Sequence, residues 1–460
     1  MLRFMARAGF GASSAMNDNE VTQAATQDNE RAGIVPLALA SVIVGAVTGA
    51  IGVTFRFALE RAEAMRFAFV AWAHAGHALS IVLVVLAAAA ATGLAAWLVA
   101  RFAPMASGSG IPHVEAVLHG RLPPAPLVLI PIKFAGGVFA IGAGLALGRE
   151  GPTVQMGASI AHAIGRFFRR NAIDCRVLLA AGAGAGLATA FNAPIAGAVF
   201  VLEELMRRFD MRTTVAALGA SASAIAMARL LHGDLPDFHV PAQPFPGFAM
   251  SGVHIALGLL LGLIGAAYSR AILWTLDITD RLARRTSVAR VTARASLIGA
   301  LVGLLAWFAP DLAGGGDVLT EQVLLGRGAM AGVSAMFAVR FVLGPLSYAA
   351  GTPGGLFAPL LALGAQTGFV FGRVCLDWFP GIAPATGDTA TFAVVGMAAL
   401  FVAVVRAPVT GIVLVTEMTA SFTLLLPMLT ACFTAMIVPM LLRIPPIYDS
   451  LGARAAAAKR

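Results

Sequence analysis

The chain has 460 residues, 59% of them hydrophobic and only 12% charged, with a formal net charge of +9. That balance lies far outside the range of soluble globular domains and predicts a polytopic membrane protein. The positive charge requires no nucleic-acid partner, because an excess of Lys and Arg is what the cytoplasmic loops of membrane proteins carry.

Residues 1–32 are polar with mixed charge and are expected to form a loose cytoplasmic tail. Arg3 and Arg7 precede a short stretch interrupted by Gly9 and Gly11, which does not fit a cleaved signal peptide. Apolar runs follow at roughly 33–55, 77–102, 125–147, 176–202, 213–231, 252–276, 295–309, 329–350, 356–376, 391–405 and 407–442. Several exceed the ~20 residues of a spanning helix. Others are short or broken by some of the 50 Gly and 24 Pro. Such breaks survive at membrane depth only where protein or a water-filled cavity satisfies the freed backbone groups. Basic clusters lie at Arg166, Arg169, Arg170 and Arg176, at Arg207, Arg208 and Arg212, at Arg281 to Arg294, and at Arg443, Arg454, Lys459 and Arg460. All four, and both termini, are placed in the cytoplasm. The three cysteines, Cys175, Cys375 and Cys432, make neither a metal spacing nor a disulfide framework.

The chain also repeats itself. Gly148-Arg149-Glu150-Gly151-Pro152, with Gly157 and Gly165, returns as Gly355-Leu356-Phe357-Ala358-Pro359, with Gly364 and Gly372; 355 minus 148 and 372 minus 165 are both 207. Asn192-Ala193-Pro194, leading to Glu203, returns as Arg406-Ala407-Pro408, leading to Glu417, with an offset of 214 at both ends. Gly45, Gly49, Gly52 and Phe55 return as Gly258, Gly262, Gly265 and Tyr268, 213 residues on. The expected organisation is a membrane unit over 33–445, with a first repeat at about 33–240 and a second at about 250–445. A C-terminal helix and tail over 446–460 carries Tyr448.

Four Gly- or Pro-marked breaks each precede a helical run: Ser107 to Pro112, the Glu150 run, the Phe357 run, and Pro445-Pro446-Ile447-Tyr448. Glycine lets backbone approach a ligand, and proline fits a first helical turn, where its missing N–H has no partner to lose. A helix start carries partial positive charge and unpaired N–H donors, so it suits an anion. Two such starts related by an internal repeat form the kind of site that transporters build at mid-membrane. A single break would be read as helix shaping; four, two of them repeat-related, favour binding.

Glu150 is the outstanding side chain. An ionised carboxylate at bilayer depth costs roughly 2.5–3.5 kcal/mol on insertion scales. A pair with Arg149 is disfavoured because neighbours on one helix do not face each other. At an anion-attracting helix start the carboxylate can occupy the site itself and leave when protonated. Glu203 shares its position with Glu417, which points to a structural duty such as capping or pairing. Glu204 falls opposite Met418, near Arg207 and Arg208, so it needs a reason of its own. Lys133 is expected to balance a buried carboxylate or a helix end, with Glu115 as a counter-charge. His113, His119 and His162 show no ligand spacing.

Taken together, Ser109-Gly110-Ile111-Pro112, Gly148 to Pro152, Gly354 to Pro359 and Tyr448 make the chain similar to the CLC family of chloride channels and proton-coupled chloride transporters, over nearly everything beyond residue 33. The resemblance implies an all-α polytopic fold of about eighteen tilted and re-entrant helices in two inverted-topology repeats. It implies a homodimer in the lipid bilayer of the cell inner (plasma) membrane, with one anion pathway per subunit. It implies chloride held by the hydroxyls of Ser109 and Tyr448 and by the backbone of Leu356 and Phe357, with Gly110, Ile111, Arg149 and Gly151 lining the same anion site. It casts Glu150 as outer gate and proton acceptor, and Glu204 as the inner proton-transfer group of exchanging members. Ser109 in place of proline resembles chloride-preferring members, and with Tyr448 it speaks against the fluoride-exporting branch. No CBS pair follows residue 445, so nucleotide control is not expected.

The function expected is secondary active exchange of chloride for protons, with chloride and protons as the transported ions and no cofactor, metal or nucleic acid. The alternative is a passive voltage- or proton-gated chloride channel on the same scaffold. An intramembrane enzyme would need a nucleophile–base or metal constellation, and no HExxH or GxSxG run or Cys/His cluster is present. A receptor would need a soluble input or output domain, for which the chain has no room.

Overall fold

A computed structural model describes residues 14–76, 79–233, 238, 240, 241, 245–282, 287–378 and 389–457, with side chains from residue 33 onward. Seventeen α-helices are present among the described residues. The first half holds α1 (Ser14–His74), α2 (Ser80–Phe102), α3 (Ile111–Leu118), α4 (Leu129–Gly142), α5 (Glu150–Phe167), α6 (Ala172–Phe191), α7 (Pro194–Phe200) and α8 (Met211–His232). The second half holds α9 (Ser251–Leu282), α10 (Val288–Phe308), α11 (Asp317–Leu324), α12 (Met330–Ala349), α13 (Phe357–Trp378), α14 (Thr389–Val405), α15 (Pro408–Thr419) and α16 (Leu425–Leu441), followed by α17 (Ile447–Ala457). Strand-like pairing among the described residues is confined to two isolated bridges, Gly108 with Pro353 and Gly148 with Gly355.

The order matches helix for helix: α1 to α8 correspond to α9 to α16, leaving α17 over. The packing repeats too. α1 lies on α8 as α9 lies on α16, and α5 on α6 as α13 on α14. Helices α5, α6, α13 and α14 form the middle of the molecule; every residue of α14 is buried. They approach so closely because glycines face each other where they cross. A Cβ on Gly157 would sit 2.2 Å from the Gly182 carbonyl oxygen, and one on Gly364 2.4 Å from that of Gly396. The glycine repeat that the offsets exposed is therefore a repeat of helix crossings.

Among the described residues nine helices are long and apolar enough to cross a membrane, including α1 from Gly33. Two apolar runs are broken where the sequence appeared continuous. Residues 176–202 divide into α6 and α7 at Asn192, which is left-handed at φ 49°; residues 407–442 divide into α15 and α16 at Ala420, φ 53°. The loose segment expected through residue 32 is corrected in part: the backbone of residues 14–32 is helical and continuous with α1, and residues 1–13 lie outside the described residues.

Lys133 and Arg340 are also 207 apart, a match the motif offsets did not expose. Both are essentially buried, at 0% and 2% exposure. Lys133 Nζ donates to the carbonyls of Ala106 (2.9 Å) and Gly108 (2.7 Å), just before α3. Arg340 donates to Leu312 and Gly314 (3.2 Å each) and to Gly315 (2.5 Å), just before α11. Each cation thus braces an irregular loop whose carbonyls have no helical partner. Lys133 balances carbonyl groups rather than a carboxylate, and Glu115 pairs elsewhere.

Candidate functional site

Three of the loops that precede helix starts meet through backbone. Gly148 N–H donates to the Gly355 carbonyl (2.9 Å), and Gly355 N–H returns to the Gly148 carbonyl (2.8 Å). Gly108 N–H donates to Thr352 (3.0 Å), and Gly354 N–H to Gly108 (3.2 Å). These pairs satisfy groups that non-helical backbone would otherwise expose, and they bring the starts of α3, α5 and α13 to one place. The start of α17 joins them, since the Tyr448 ring lies 5.9 Å from that of Phe357.

Glu150 fills the centre. Its Oε1 accepts the Phe357 N–H at 2.7 Å, so the first residue of α5 caps the first turn of α13. The residue is wholly buried, and its Oε2 has no hydrogen-bond partner. Gly355 makes the room: a Cβ there would fall 2.0 Å from Oε1. Arg149 turns away and donates through Nε to the Ala190 carbonyl (2.7 Å), which bears out the expectation that adjacent residues would not pair. Arg149 lines a cavity of about 230 Å³ with Gly148, Glu60, Glu63 and Asp317.

Ser109 is also fully buried. Its backbone N–H points to the Tyr348 hydroxyl at 3.4 Å, and its Oγ lies 3.5 Å from the Ile111 N–H. Gly110 is left-handed at φ 83°, and a Cβ there would strike Gln155 Oε1 at 2.3 Å, so the turn into α3 admits no side chain. A Cβ on Gly151 would sit 2.6 Å from the Ser109 carbonyl oxygen. Tyr448 is buried beside Ser109, with a hydroxyl that makes no hydrogen bond of good geometry. The site therefore gathers a partnerless buried acceptor on Glu150 and an under-used donor on Tyr448 around facing helix starts. Such buried polar groups call for an explanation, and here they share one centre with the helix starts. Leu356 and Phe357 lie at the α13 start with no exposure.

Phe357 connects this centre to the second carboxylate. Its ring meets Tyr448, Phe401 (4.6 Å) and Phe200 (6.0 Å). Phe200 ends α7, and Glu204 lies on the following π-helical turn, Val201–Leu205. Glu204 is 4% exposed and its Oε1 lacks a partner. The π character comes from one extra residue, seen in the bond from Met206 N–H to the Val201 carbonyl (2.8 Å). From Glu203 to left-handed Arg207 is four positions (207 minus 203); from Glu417 to left-handed Ala420 it is three (420 minus 417). Glu204 thus stands in an insertion that the second copy does not have.

Glu203 behaves differently. Its carboxylate accepts from Val409 N–H (3.0 Å), Thr410 N–H (2.7 Å) and the Thr410 hydroxyl (2.7 Å) at the start of α15. Glu417 accepts from Ile195 N–H (3.0 Å) and Ala196 N–H (2.7 Å) at the start of α7. Each copy caps the other, the signature of a two-fold relation between them. The structural reading of this pair holds, as capping across the repeat rather than within it.

Sequence reasoning passed over Tyr348, Gln155 and the bridge from Arg207 to Glu115 (3.0 Å) and Asp449 (2.8 Å). Tyr348 carried a usable signal: it is one of only three tyrosines in a largely apolar chain, and all three are buried.

Residues 91–439 match the family model described as "Voltage gated chloride channel", so the chain belongs to that family. It is 40% identical over 359 residues to the H(+)/Cl(-) exchange transporter ClcA of Vibrio cholerae, covering 77% of this chain and 76% of that one. It is 36% identical over 438 residues to the ClcA exchanger of Salmonella arizonae, covering 92% and 89%. Among solved structures it superposes on a slow cyanobacterial Cl-/H+ antiporter with a TM-score of 0.87 and 33% identity, over 92% of this chain and 98% of that one. A CLC-type fluoride/proton antiporter shares the fold at 22% identity and a TM-score of 0.73, over 88% of this chain and 95% of that one.

Proposed function

We propose that this protein is a secondary active transporter that exchanges chloride for protons. The observation that carries the reading is Glu150 Oε1 on the Phe357 amide: a carboxylate occupies the helix start where a transported anion would sit. Ionised, Glu150 is held by the amide and by the partial positive charge of α13. Protonated, it loses most of that attraction and yields to chloride. Anion and proton therefore compete for one place, and competition of this kind couples their movements.

Chloride reaches the centre between the Ser109 and Tyr448 hydroxyls, with Gly110, Ile111, Gly151, Leu356 and Phe357 shaping the same space and Arg149 facing the outer cavity. Protons load on Glu204 and pass toward Glu150 behind the Phe200–Phe357 wall, by a route separate from the anion's. A passive channel on this scaffold gives no reason for a buried Glu204 with one oxygen unpartnered. Following the family resemblance, the reading includes a homodimer in the cell inner membrane, with both termini cytoplasmic and one pathway in each 33–445 unit. The deciding experiment uses purified protein in liposomes: an imposed chloride gradient should drive protons uphill. A reversal potential indifferent to a pH gradient would establish the channel instead.

A further inference from the structure

We propose that Arg207 is a positioning residue that clamps the cytoplasmic ends of the chloride and proton routes together, through Glu115 on one side and Asp449 on the other. The proposal rests on the exchange reading above and extends it to a cluster that reading does not use.

Arg207 Nη2 donates to Glu115 Oε1 at 3.0 Å and to Asp449 Oδ1 at 2.8 Å. Glu115 lies on α3, whose start follows Ser109; Asp449 follows Tyr448 directly on α17. One guanidinium thus joins the short helix that follows Ser109 to the one that carries Tyr448. The backbone leading to Arg207 is the Glu204 π turn, so the same group is tethered to the inner proton glutamate. Arg207 itself is left-handed at φ 51° and ends the π turn as Asn192 ends α6 and Ala420 ends α15. A planar guanidinium can serve two carboxylates at once, which a lysine ammonium does less well.

Ile447, Tyr448 and Leu451 pack α17 into the core, and its remaining polar anchors lie elsewhere. Arg406 Nη2 donates to the Ile444 carbonyl (2.6 Å) just before the helix, and Arg454 near its far end pairs with Asp277 and with Asp280. Cutting the Arg207 link therefore frees the Tyr448 end toward the first repeat while leaving the helix attached. Tyr448 then moves away from Ser109 more often, and chloride slips through without waiting for a proton.

The clamp is half exposed, with side-chain exposures of 46% for Arg207 and 38% for Asp449, so its effect is modest. A two- to fivefold rise in the detached population is about 0.4–1 kcal/mol at RT ≈ 0.59 kcal/mol, the range of exposed ion pairs.

The test compares Asp449→Asn with the parent in liposomes, measuring chloride efflux and protons moved per chloride. We expect efflux about two- to fivefold faster, with the proton ratio reduced by a similar factor. Asp449→Glu should restore both. In a Tyr448→Ala background the Asp449→Asn change should add nothing, which a general loss of stability would not reproduce. If Asp449→Asn yields no protein, Arg207→Lys gives the same reading. A parental ratio and efflux in Asp449→Asn, or an equal further loss on Tyr448→Ala, would overturn the clamp. If the parent itself moves no protons, the exchange reading fails, and efflux alone still decides whether the clamp holds the anion gate.

Discussion

Replacing Glu203 by Gln tests whether the repeat-related glutamates hold the fold rather than move protons. In Gln the amide oxygen can keep the two bonds from Thr410, but its NH2 then faces the Val409 N–H, so the 3.0 Å bond is lost along with the charge. A hydrogen bond to a charged group is worth about 1.5–3 kcal/mol, and a carboxylate at a helix start about 0.3–1 kcal/mol. Because the Val409 end of the contact is exposed and water can replace part of it, the low end, about 2 kcal/mol, is the expected cost. Glu417→Gln should cost a similar amount at Ile195 and Ala196. The double substitution should approach the sum, since the two carboxylates cap different helices. The assay is thermal unfolding in detergent at a fixed scan rate, because unfolding of such proteins is commonly irreversible. Each single variant should melt several degrees lower yet transport with the parental proton ratio. A variant that melts like the parent and has lost proton coupling would refute the capping assignment.

Glu150→Gln should abolish chloride-driven proton movement and leave chloride flux in liposomes, since an amide mimics the protonated, displaced gate; surviving proton pumping would remove Glu150 from the mechanism. Ser109→Pro should shift preference from chloride toward nitrate, because it removes a hydroxyl donor that replaces a water contact of the more strongly hydrated ion; an unchanged permeability ratio counts against Ser109 as a ligand. Tyr448→Ala should loosen coupling and weaken chloride binding by about tenfold in calorimetry, the low end of the worth of one hydrogen bond to a charged group, about 1.5 kcal/mol. Parental affinity in that variant would place the hydroxyl outside the site.

The repeat was legible because both copies solve one packing problem. Glycines at helix crossings and glutamates at helix caps are fixed in residue type by close approach and by exposed N–H groups, so they survive as equal offsets. The 207 offset placed Glu150 and Phe357 at equivalent helix starts, but their contact, Glu150 Oε1 on the Phe357 N–H, is read from the structure. What the offsets could not supply was reciprocity. Nothing in Glu203 or Glu417 says that each reaches into the other copy, and it is this exchange that reveals the two-fold relation. The partners of Lys133 were illegible because they are backbone carbonyls, which every residue has. The breaks at Asn192 and Ala420 show both cases. Asn192-Ala193-Pro194 carried a turn signal inside an apolar run, whereas Ala420 carries none, yet is left-handed at φ 53°.

Glu204→Gln is the sharpest remaining test, because the extra residue that carries Glu204 was hidden. The 214 offset holds from Asn192 to Glu203, so the sequence places Glu204 opposite Met418 and shows a substitution; the structure shows an insertion that widens the last turn of α7 into a π turn. A π turn gives up regular helical bonding and persists where function requires it. Here it holds a carboxylate at 4% exposure with one oxygen unpartnered, three residues before Arg207. A structural carboxylate in that position would be expected to cap a helix start, as Glu203 does; burial with one oxygen unpartnered costs stability, which a proton-carrying role would account for. Removing the charge should therefore keep or raise thermal stability while stopping proton movement, with chloride flux retained. That combination is the reverse of the result expected for Glu203→Gln. If Glu204→Gln lowers stability and leaves the proton ratio unchanged, the π turn serves packing alone, and a channel becomes the better account of the protein.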